Sequence, residues 1–420
     1  MLSTSSRNGG QSETLRYLVN HQSCEGAGHR EREAHITGLG LEGYHDAVCR
    51  EAGIDPDTTA SMGTAANMNY AAIVERQDGD LRVAAVVTAG VQGNAACAGD
   101  AAGWRETESG WEKIAPVGGT INTMLFISHA LTRGALARAA VTMTEGKSAA
   151  LTRLAVRSRY SQEPATGTGT DQYAIAAPLS GGNPLTSTSP HVKLGELIGV
   201  AVRDATSEAL RWQNGLEASY TRSVFHALGA YGLNEATIFE DIGPLLSARD
   251  FELLQKNAKA VFYEPLAAAA AYGIASVLDR VRYGTLPDST AREALRQQAA
   301  LLAANIAARP AQWPDFLARL EIDERCVAGE ICPLLCLLDR AKVVCVSSRM
   351  LDYGPVRLFK CEFFIGLTDR VQHRRSCREF LCVKTDPTDG KKSNDLAQQG
   401  DDSPLKCGMS AGRRNECGWF

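Results

Sequence analysis

Apolar residues in the first half of the chain follow two periodicities, which predict strands that alternate with helices. Continuous apolar runs at 81–87 (LRVAAVV) and 120–128 (TINTMLFIS) are typical of buried strands, and 171–177 (DQYAIAA) is a third strand candidate. Apolar residues recur at helical spacing over 131–154 and 192–210. The alternation predicts a mixed α/β sheet with helices, and the pattern leaves the strand order open.

The second half of the chain changes character twice. Residues 226–322 are rich in Ala and Leu and predict three or four helices, one of them over 291–308. Residues 323–420 are irregular and rich in Cys, and the polar segment 384–404 is typical of disorder. We therefore predict an α/β domain over 1–225, an α-helical extension over 226–322 and an irregular, Cys-rich, partly disordered tail of unknown role over 323–420.

Composition narrows the class of protein. The net charge of −4 offers no field for nucleic acid or for an anionic membrane. The most apolar run, 265–278 (PLAAAAAYGIASVL), is shorter than the roughly 20 residues that a membrane span needs. The first residues, MLSTSSRNGG, lack the apolar stretch of a signal peptide. We therefore expect a cytoplasmic protein without a nucleic-acid or membrane partner, and its oligomeric state stays open.

The cysteines give little sign of a metal site. Nine of the 12 lie between Cys326 and Cys417, and no two of them form a CxxC pair. Close pairs are usual in structural zinc sites, so free thiols in a reducing compartment are the favoured interpretation. We expect no bound cofactor, and a metal requirement stays open.

Four polar loops that contain glycine follow or interrupt the apolar runs. They are 88–100 (TAGVQGNAACAGD), 116–124 (PVGGTINTM), 163–171 (EPATGTGTD) and 191–199 (HVKLGELIG). Glycine lets the backbone approach a ligand closely, and loops that meet at one end of an α/β sheet usually form the site. A polar, ligand-sized pocket is predicted. The loop ATGTGTD lacks the third glycine of GxGxxG, and HExxH does not occur. The motif GxxxxGK(S/T) is also absent, which disfavours a nucleotide-dependent kinase or transferase.

In this order, the loops resemble the CbiZ family of adenosylcobinamide amidohydrolases. TEGKSAAL, YTRSVF, LSTSSRNGG and TAANMNYAAIV carry the same resemblance, which covers about residues 2–225. It implies a hydrolase that cuts the amide between the propionyl side chain of the corrin ring and aminopropanol. Adenosylcobinamide then becomes adenosylcobyric acid, in corrinoid salvage for coenzyme B12 synthesis. The alternative is a non-catalytic corrinoid-binding protein.

The start of the chain departs from the pattern of this family. LSTSSRNGG begins at residue 2, whereas the family motif normally follows a segment that includes a strand. This difference raises the hypothesis that the chain lacks a strand of its own sheet, through a misplaced start or truncation. An absent strand would expose an edge of the sheet.

Amide hydrolysis requires proton transfer at the attacking group and at the leaving amine, together with stabilisation of an oxyanion. Asp171 stands among hydroxyls at a strand start, where it either activates water or caps a turn. His191 precedes a helix and is the other catalytic candidate, because histidine exchanges protons readily near neutral pH. Its alternative role is that of a surface or capping histidine.

Further polar residues of the loops are candidates for contacts with the corrinoid substrate. Alternating threonines share one face of an extended segment, and loop Asn and Asp side chains suit an oxyanion hole, although turn formation explains them equally well. The helix pair at 193 and 196 is also typical of a surface ion pair. These candidates are Asn94, Asp100, Thr120, Asn122, Thr166, Thr168, Thr170, Lys193 and Glu196.

Two alternatives within this set stay open. Thr120 follows Gly118 and Gly119, and in some amidohydrolases a Gly-Thr bond is cut autocatalytically to free a threonine amine nucleophile. Glu145 and Lys147 point in different directions from the helix at 131–154, so at most one of them reaches the site. We interpret both as surface residues.

Overall fold

A six-stranded mixed sheet forms the centre of the chain in a computed structural model. The structure describes residues 1–22, 29–108, 110–113, 119–307, 309–322 and 327. Apart from Val327, the predicted Cys-rich tail lies outside these residues, with its cysteines and its segment 384–404. The described strands, numbered along the chain, are β1 (Leu2–Ser3), β2 (Gly10–Gln11), β3 (Tyr17–Gln22), β4 (Thr59–Thr64), β5 (Ala72–Asp78), β6 (Leu81–Ala89), β7 (Ala95–Ala96), β8 (Trp104–Thr107), β9 (Gly110–Lys113), β10 (Ile121–Ile127), β11 (Gly167–Thr168) and β12 (Gln172–Ala176).

The main sheet has the strand order β2-β1-β12-β10-β6-β5. β10 and β12 are parallel, with Asn122 opposite Gln172, and the other pairings are antiparallel. Ile121 lies opposite Ala89, so the last residue of β6 and the first residues of β10 and β12 lie at the same end of the sheet. We call this end, marked by Ala89, Ile121 and Gln172, the polar end of the sheet. Three two-stranded sheets accompany it: β3 with β4 (parallel), and β7 with β11 and β8 with β9 (both antiparallel).

Helices occur in both halves of the chain. The first of them is broken at Gly40, where φ is 67°. Short 3-10 turns occur at Pro56–Thr58, Met68–Tyr70, Gly229–Tyr231, Gly243–Leu245 and Pro310–Gln312. The helices are α1 (His29–Ala52), α2 (Arg133–Arg153), α3 (Lys193–Asn214), α4 (Ala218–Thr221), α5 (Val224–Leu228), α6 (Ile238–Ile242), α7 (Ala248–Phe262), α8 (Pro265–Arg282), α9 (Asp288–Ile306) and α10 (Trp313–Arg319).

Helices α2 and α3 share an apolar core with one face of the main sheet. Thr132 caps α2 by accepting a hydrogen bond from the backbone N–H of Ala135. The two helices cross at Gly146, where a Cβ atom would lie 2.9 Å from the backbone oxygen of Gly199. Only glycine permits this approach. The buried core includes Val83, Ala85, Val87, Leu125, Ile127, Leu136, Ala139, Met143, Leu194, Ile198, Ala201 and Val202.

Amide groups join the main sheet to the β3–β4 pair. The side-chain nitrogen of Asn122 donates to Asn20 Oδ1 and to the backbone oxygen of Gly63, at 2.9 Å each. The N–H of Gly63 donates in turn to Gln172 Oε1 at 3.2 Å. These bonds link β3 and β4 to the starts of β10 and β12, so two layers of strands meet at the polar end.

A second apolar core lies among the helices of residues 224–306, and a buried carboxylate ties these helices to the α/β part. Asp279 accepts two hydrogen bonds from Arg157, at 2.9 and 2.7 Å, and one from Tyr231 Oη at 2.5 Å. His226 Nε2 makes a 2.7 Å hydrogen bond with the backbone oxygen of Leu154, just after α2. The extension is thus anchored next to the end of α2.

The structure confirms the predicted α/β class, with its mixed sheet, the three predicted strands and the helices predicted over 131–154, 192–210 and 291–308. The described part of the extension holds more helices than the three or four predicted, because it contains α6 to α10 and the end of α5. All described residues fall within one compact unit, so the three-part division and the missing N-terminal strand stay predictions. Among the described residues, no single helix has the length and apolar character to cross a membrane. One bent pair, Leu254–Phe262 and Pro265–Arg282, meets those criteria by length and composition, with 66° between its parts.

Candidate functional site

An ion pair between Lys147 and Asp171 lies at the polar end of the sheet. Lys147 comes from the middle of α2, and Asp171 stands directly before β12. The two side chains are 14% and 18% exposed, so they are mostly buried. The other carboxylate oxygen of Asp171 accepts from the N–H of Ile121 at 3.0 Å and from the hydroxyl of Thr168. Both oxygens of Asp171 are therefore held in place by donors.

Glycine makes this ion pair possible. A Cβ atom on Gly167 would lie 2.3 Å from Asp171 Oδ2 and 2.6 Å from Lys147 Nζ. A Cβ atom on Gly169 would lie 3.2 Å from Asn94 Oδ1. The alternating glycines of the 163–171 loop therefore leave room for charged and polar atoms of the site.

A hydrogen-bond network surrounds the backbone oxygen of Gly119. That oxygen accepts from Asn94 Nδ2 and from the hydroxyl of Thr170, at 2.7 Å each. Asn94 is fully buried, and its own oxygen accepts from Tyr160 Oη at 2.6 Å, which fixes the orientation of the amide. Two side-chain donors thus converge on one peptide carbonyl.

Thr120, the residue after that carbonyl, is buried at the start of β10. Its hydroxyl donates to the backbone oxygen of Thr170 at 2.7 Å and lies 3.2 Å from Asn122 Oδ1. Asn122 is fully buried and holds Asn20 and Gly63, so it joins strands and does not face a ligand. The predicted substrate contact of Asn122 is therefore not supported by its position.

Asp100 and Thr166 brace the loops of the site. Asp100 accepts from Ser158 and Ser161 at 2.5 Å each and from the N–H of Cys97 at 2.6 Å. Burial opposes the charge of this carboxylate, but the three hydrogen bonds outweigh it and lower the pKa of Asp100. Thr166 accepts from the N–H of Ala98 at 2.9 Å. Both side chains have loop partners that explain them without a ligand.

The structure does not bring His191, Lys193 and Glu196 to the ion pair. His191 is exposed, and Lys193 donates to Glu196 at 2.7 Å in an exposed pair that raises the pKa of Lys193. Asp78, which also acts on Lys193, lies opposite Leu81 at the far end of β6. The strand from Leu81 to the polar end is about 26 Å long. The expectation that His191 acts beside Asp171 is therefore corrected.

Sequence reasoning missed Lys147 and Tyr160. The interpretation of Lys147 as a surface residue is wrong, because the lysine lies between the buried residues Met143 and Ala150 on one face of α2. A lysine in an apolar stripe at helical spacing was the signal that could have identified it. Glu145 does lie on the exposed side of α2, 3.8 Å from Arg138. Tyr160 gave no such signal, because its partner Asn94 is distant in sequence.

The described residues contain no group of three or more His, Cys, Asp or Glu side chains that could hold a metal ion. Within them, the groups available at the polar end are an ion pair, threonine hydroxyls and two side-chain donors that bind the backbone oxygen of Gly119. Residues 116–118 of the second loop lie outside the described residues.

Comparison with known proteins agrees with the resemblance found in the loops. A family model described as adenosylcobinamide amidohydrolase matches residues 1–218, more than half of the chain. An uncharacterized protein of Methanocaldococcus jannaschii is 34% identical over 183 residues, which are 41% of this chain and 71% of that relative. No solved structure shows a significant match. The match with the family model covers the main sheet, α2, α3 and every residue of the polar end.

Proposed function

This chain belongs to the adenosylcobinamide amidohydrolase family, and from that premise we propose that it hydrolyses the aminopropanol amide of adenosylcobinamide. The product is adenosylcobyric acid, which re-enters coenzyme B12 synthesis. Water supplies the elements that balance the reaction. Its oxygen joins the propionyl carbonyl carbon, the C–N bond breaks, and the nitrogen leaves with a proton as aminopropanol. The corrinoid is the substrate and not a resident cofactor.

The observation that carries the proposal is the ion pair of Lys147 with Asp171. Amide hydrolysis needs a group that takes a proton from the attacking oxygen and returns one to the leaving amine. The carboxylate of Asp171 is held by Lys147, Thr168 and the N–H of Ile121, so it has a fixed position for that exchange. The ammonium group of Lys147 offers positive charge for an oxyanion.

We assign contacts with the rest of the substrate to the exposed parts of the same loops. Gly169 and Thr170 are exposed next to Asp171, and Thr168 is half-buried. Hydroxyl and backbone groups of this kind pair with the amide side chains of a corrin ring or with the aminopropanol hydroxyl. Ordinary hydrogen bonding of this sort fixes the orientation of a ligand in a mostly preformed site.

The test is incubation of the purified full chain with adenosylcobinamide, followed by mass analysis of the corrinoid and detection of aminopropanol. We expect adenosylcobyric acid to form. Asp171→Asn and Lys147→Met should each lower kcat/KM at least about 100-fold, as expected for groups that transfer protons or stabilise charge. Lys256→Met is the matched control, because Lys256 is in an exposed ion pair with Glu252.

Binding without turnover would contradict the proposal. If the chain retains adenosylcobinamide on a size-exclusion column but forms no new carboxylate, it is a corrinoid-binding protein. A loss of activity in Lys256→Met equal to that in Lys147→Met would show that the ion pair has no special part.

A further inference from the structure

The peptide bond between Gly119 and Thr120 is surrounded by groups that suit its own cleavage. Its carbonyl oxygen accepts from Asn94 Nδ2 and the hydroxyl of Thr170, at 2.7 Å each. Two donors aimed at one carbonyl oxygen are the arrangement that stabilises the oxyanion of a tetrahedral intermediate. Asn94 is fully buried and is itself oriented by Tyr160, so this donor is fixed in advance.

Gly119 has a conformation and surroundings that exclude other residues. Its φ is 115°, a region that residues with a Cβ atom rarely adopt. A Cβ atom there would lie 3.0 Å from the backbone oxygen of Gly90 and 3.1 Å from Asn94 Cβ. The residue before the threonine is therefore required to be glycine, and self-cleavage needs the hydroxyl of a neighbouring residue as its nucleophile.

Thr120 supplies that hydroxyl, and the ion pair lies beside it. Its Oγ1 is buried and held by the backbone oxygen of Thr170. The next N–H along the chain, that of Ile121, donates to Asp171, which is paired with Lys147. A nucleophile, two oxyanion donors and a charged pair for proton transfer thus meet around Gly119, Thr120 and Ile121, where β10 begins.

We infer that the chain cuts its own Gly119–Thr120 bond and that the freed Thr120 is the nucleophile for amide hydrolysis. The second half of this inference rests on the proposed function, whereas the cleavage does not. A threonine with a free α-amine carries its own base, because the amine accepts the proton of the hydroxyl. The hydroxyl of Thr120 then attacks the amide carbonyl of the substrate, as it attacked the carbonyl of Gly119.

The cleavage balances with water as the co-reactant. Thr120 Oγ1 bonds to the carbonyl carbon of Gly119 and loses its proton, the C–N bond breaks, and the threonine nitrogen takes the proton. The result is an ester between Gly119 and the threonine hydroxyl. Water then adds to the ester carbonyl, which gives the Gly119 carboxylate and restores the hydroxyl. Asn94 and Thr170 stabilise the oxyanion in both steps.

The two fragments should stay together in the native protein. β6 lies before the cut and β10 after it, and these strands pair over seven residues in the main sheet. The native size should therefore not change, and only denaturing conditions should separate the parts. A denaturing gel, the intact mass and N-terminal sequencing of the purified full chain test the inference directly.

We expect one fragment to end at Gly119 and another to begin with the sequence TINTM at Thr120. Thr120→Ser should still cut itself, because serine keeps the hydroxyl. Thr120→Val should remain intact and inactive. Thr123→Val is the matched control, because Thr123 is buried in the same strand and should be cut like the parent chain.

Loss of one oxyanion donor in Thr170→Val should slow the cleavage about 100-fold, which a time course after synthesis measures. An intact parent chain overturns the inference, whether or not it hydrolyses adenosylcobinamide. An intact, active chain leaves the proposed function in place. A cut chain without hydrolysis removes the proposed function and the substrate-directed role of Thr120, and leaves the self-cleavage. If Thr120→Val is also cut at this bond, a contaminating protease is responsible and the inference fails.

Discussion

Gly167→Ala is expected to weaken the site by pushing apart the ion pair of Lys147 and Asp171. The new methyl group would lie 2.3 Å from Asp171 Oδ2 and 2.6 Å from Lys147 Nζ, whereas ordinary contacts begin near 3.4 Å. Gly167 does not have the positive φ that only glycine favours, so alanine fits its backbone conformation. Its pairing with β7 also holds the backbone in position. The strain therefore falls on the ion pair, which must open by about 1 Å.

The magnitude follows from Coulomb's law. A charge-assisted pair near 2.8 Å that opens to about 4 Å loses about 2 kcal/mol at an effective dielectric constant of about 20. A displacement of about 1 Å in a catalytic group costs up to about 100-fold in rate. We therefore expect Gly167→Ala to lower kcat/KM by about 10- to 100-fold and the free energy of unfolding by at most about 2 kcal/mol.

The assay combines the rate of adenosylcobyric acid formation with urea unfolding, and Gly134→Ala is its control. Gly134 lies in the first turn of α2, the helix that carries Lys147, and a Cβ atom there meets nothing within 4 Å. Alanine at this position should keep the activity and stabilise the helix by up to about 1 kcal/mol. If Gly167→Ala keeps full activity and stability, the ion pair does not have the geometry on which the proposed chemistry depends.

Three further predictions concern buried charges. Lys147→Met leaves the carboxylate of Asp171 without its cation, so urea unfolding should show that the free energy of unfolding falls by about 2 kcal/mol. The double variant with Asp171→Asn should recover part of this loss, and additive losses in the two single variants would rule out coupling between the residues. Asp279→Asn removes the negative charge that pairs with Arg157 and should lower the free energy of unfolding by about 3 kcal/mol. A loss below about 1 kcal/mol would show that the anchor is weak. Burial lowers the pKa of His226 below its usual 6.5, and the effect exceeds that of its backbone hydrogen bond, so its neutral form favours folding. That stability is present above pH 6.5 and is lost as the pH falls through the folded-state pKa, so His226→Gln should flatten the fall in Tm between about pH 7.5 and 5.5.

The long elements of the fold were predictable because each carries a complete apolar pattern. One or both faces are buried in the same core for β6, β10, α2 and α3, and the apolar pattern in the sequence of each element indicates this burial. The short strands could not be predicted in the same way. β4 (TASMGT) has no apolar alternation, and β1 and β11 have two residues each, so their strand form depends on the partner with which they pair.

The candidate site was predictable only in part. Loop composition identified Asp171, Thr168 and Thr170, which the structure does bring together around the polar end. It also selected His191, because a histidine between a loop and a helix has suitable acid–base chemistry. The structure places His191 at the opposite end of the sheet from Asp171. Which end a residue occupies depends on strand direction, and the sequence pattern does not reveal it.

The parallel pairing of β10 with β12 explains why these distant loops form one site. Asn122 lies opposite Gln172, so the residues just before this pair lie side by side: Ile121 beside Asp171, and Thr120 beside Thr170. A slip of one residue would turn the side chains of one strand to the opposite face and break both contacts. The register is fixed in turn by the apolar side chains of β10 and β12 in the core. The packing that stabilises the sheet therefore also sets the contacts of Thr120 with Thr170 and of Ile121 with Asp171.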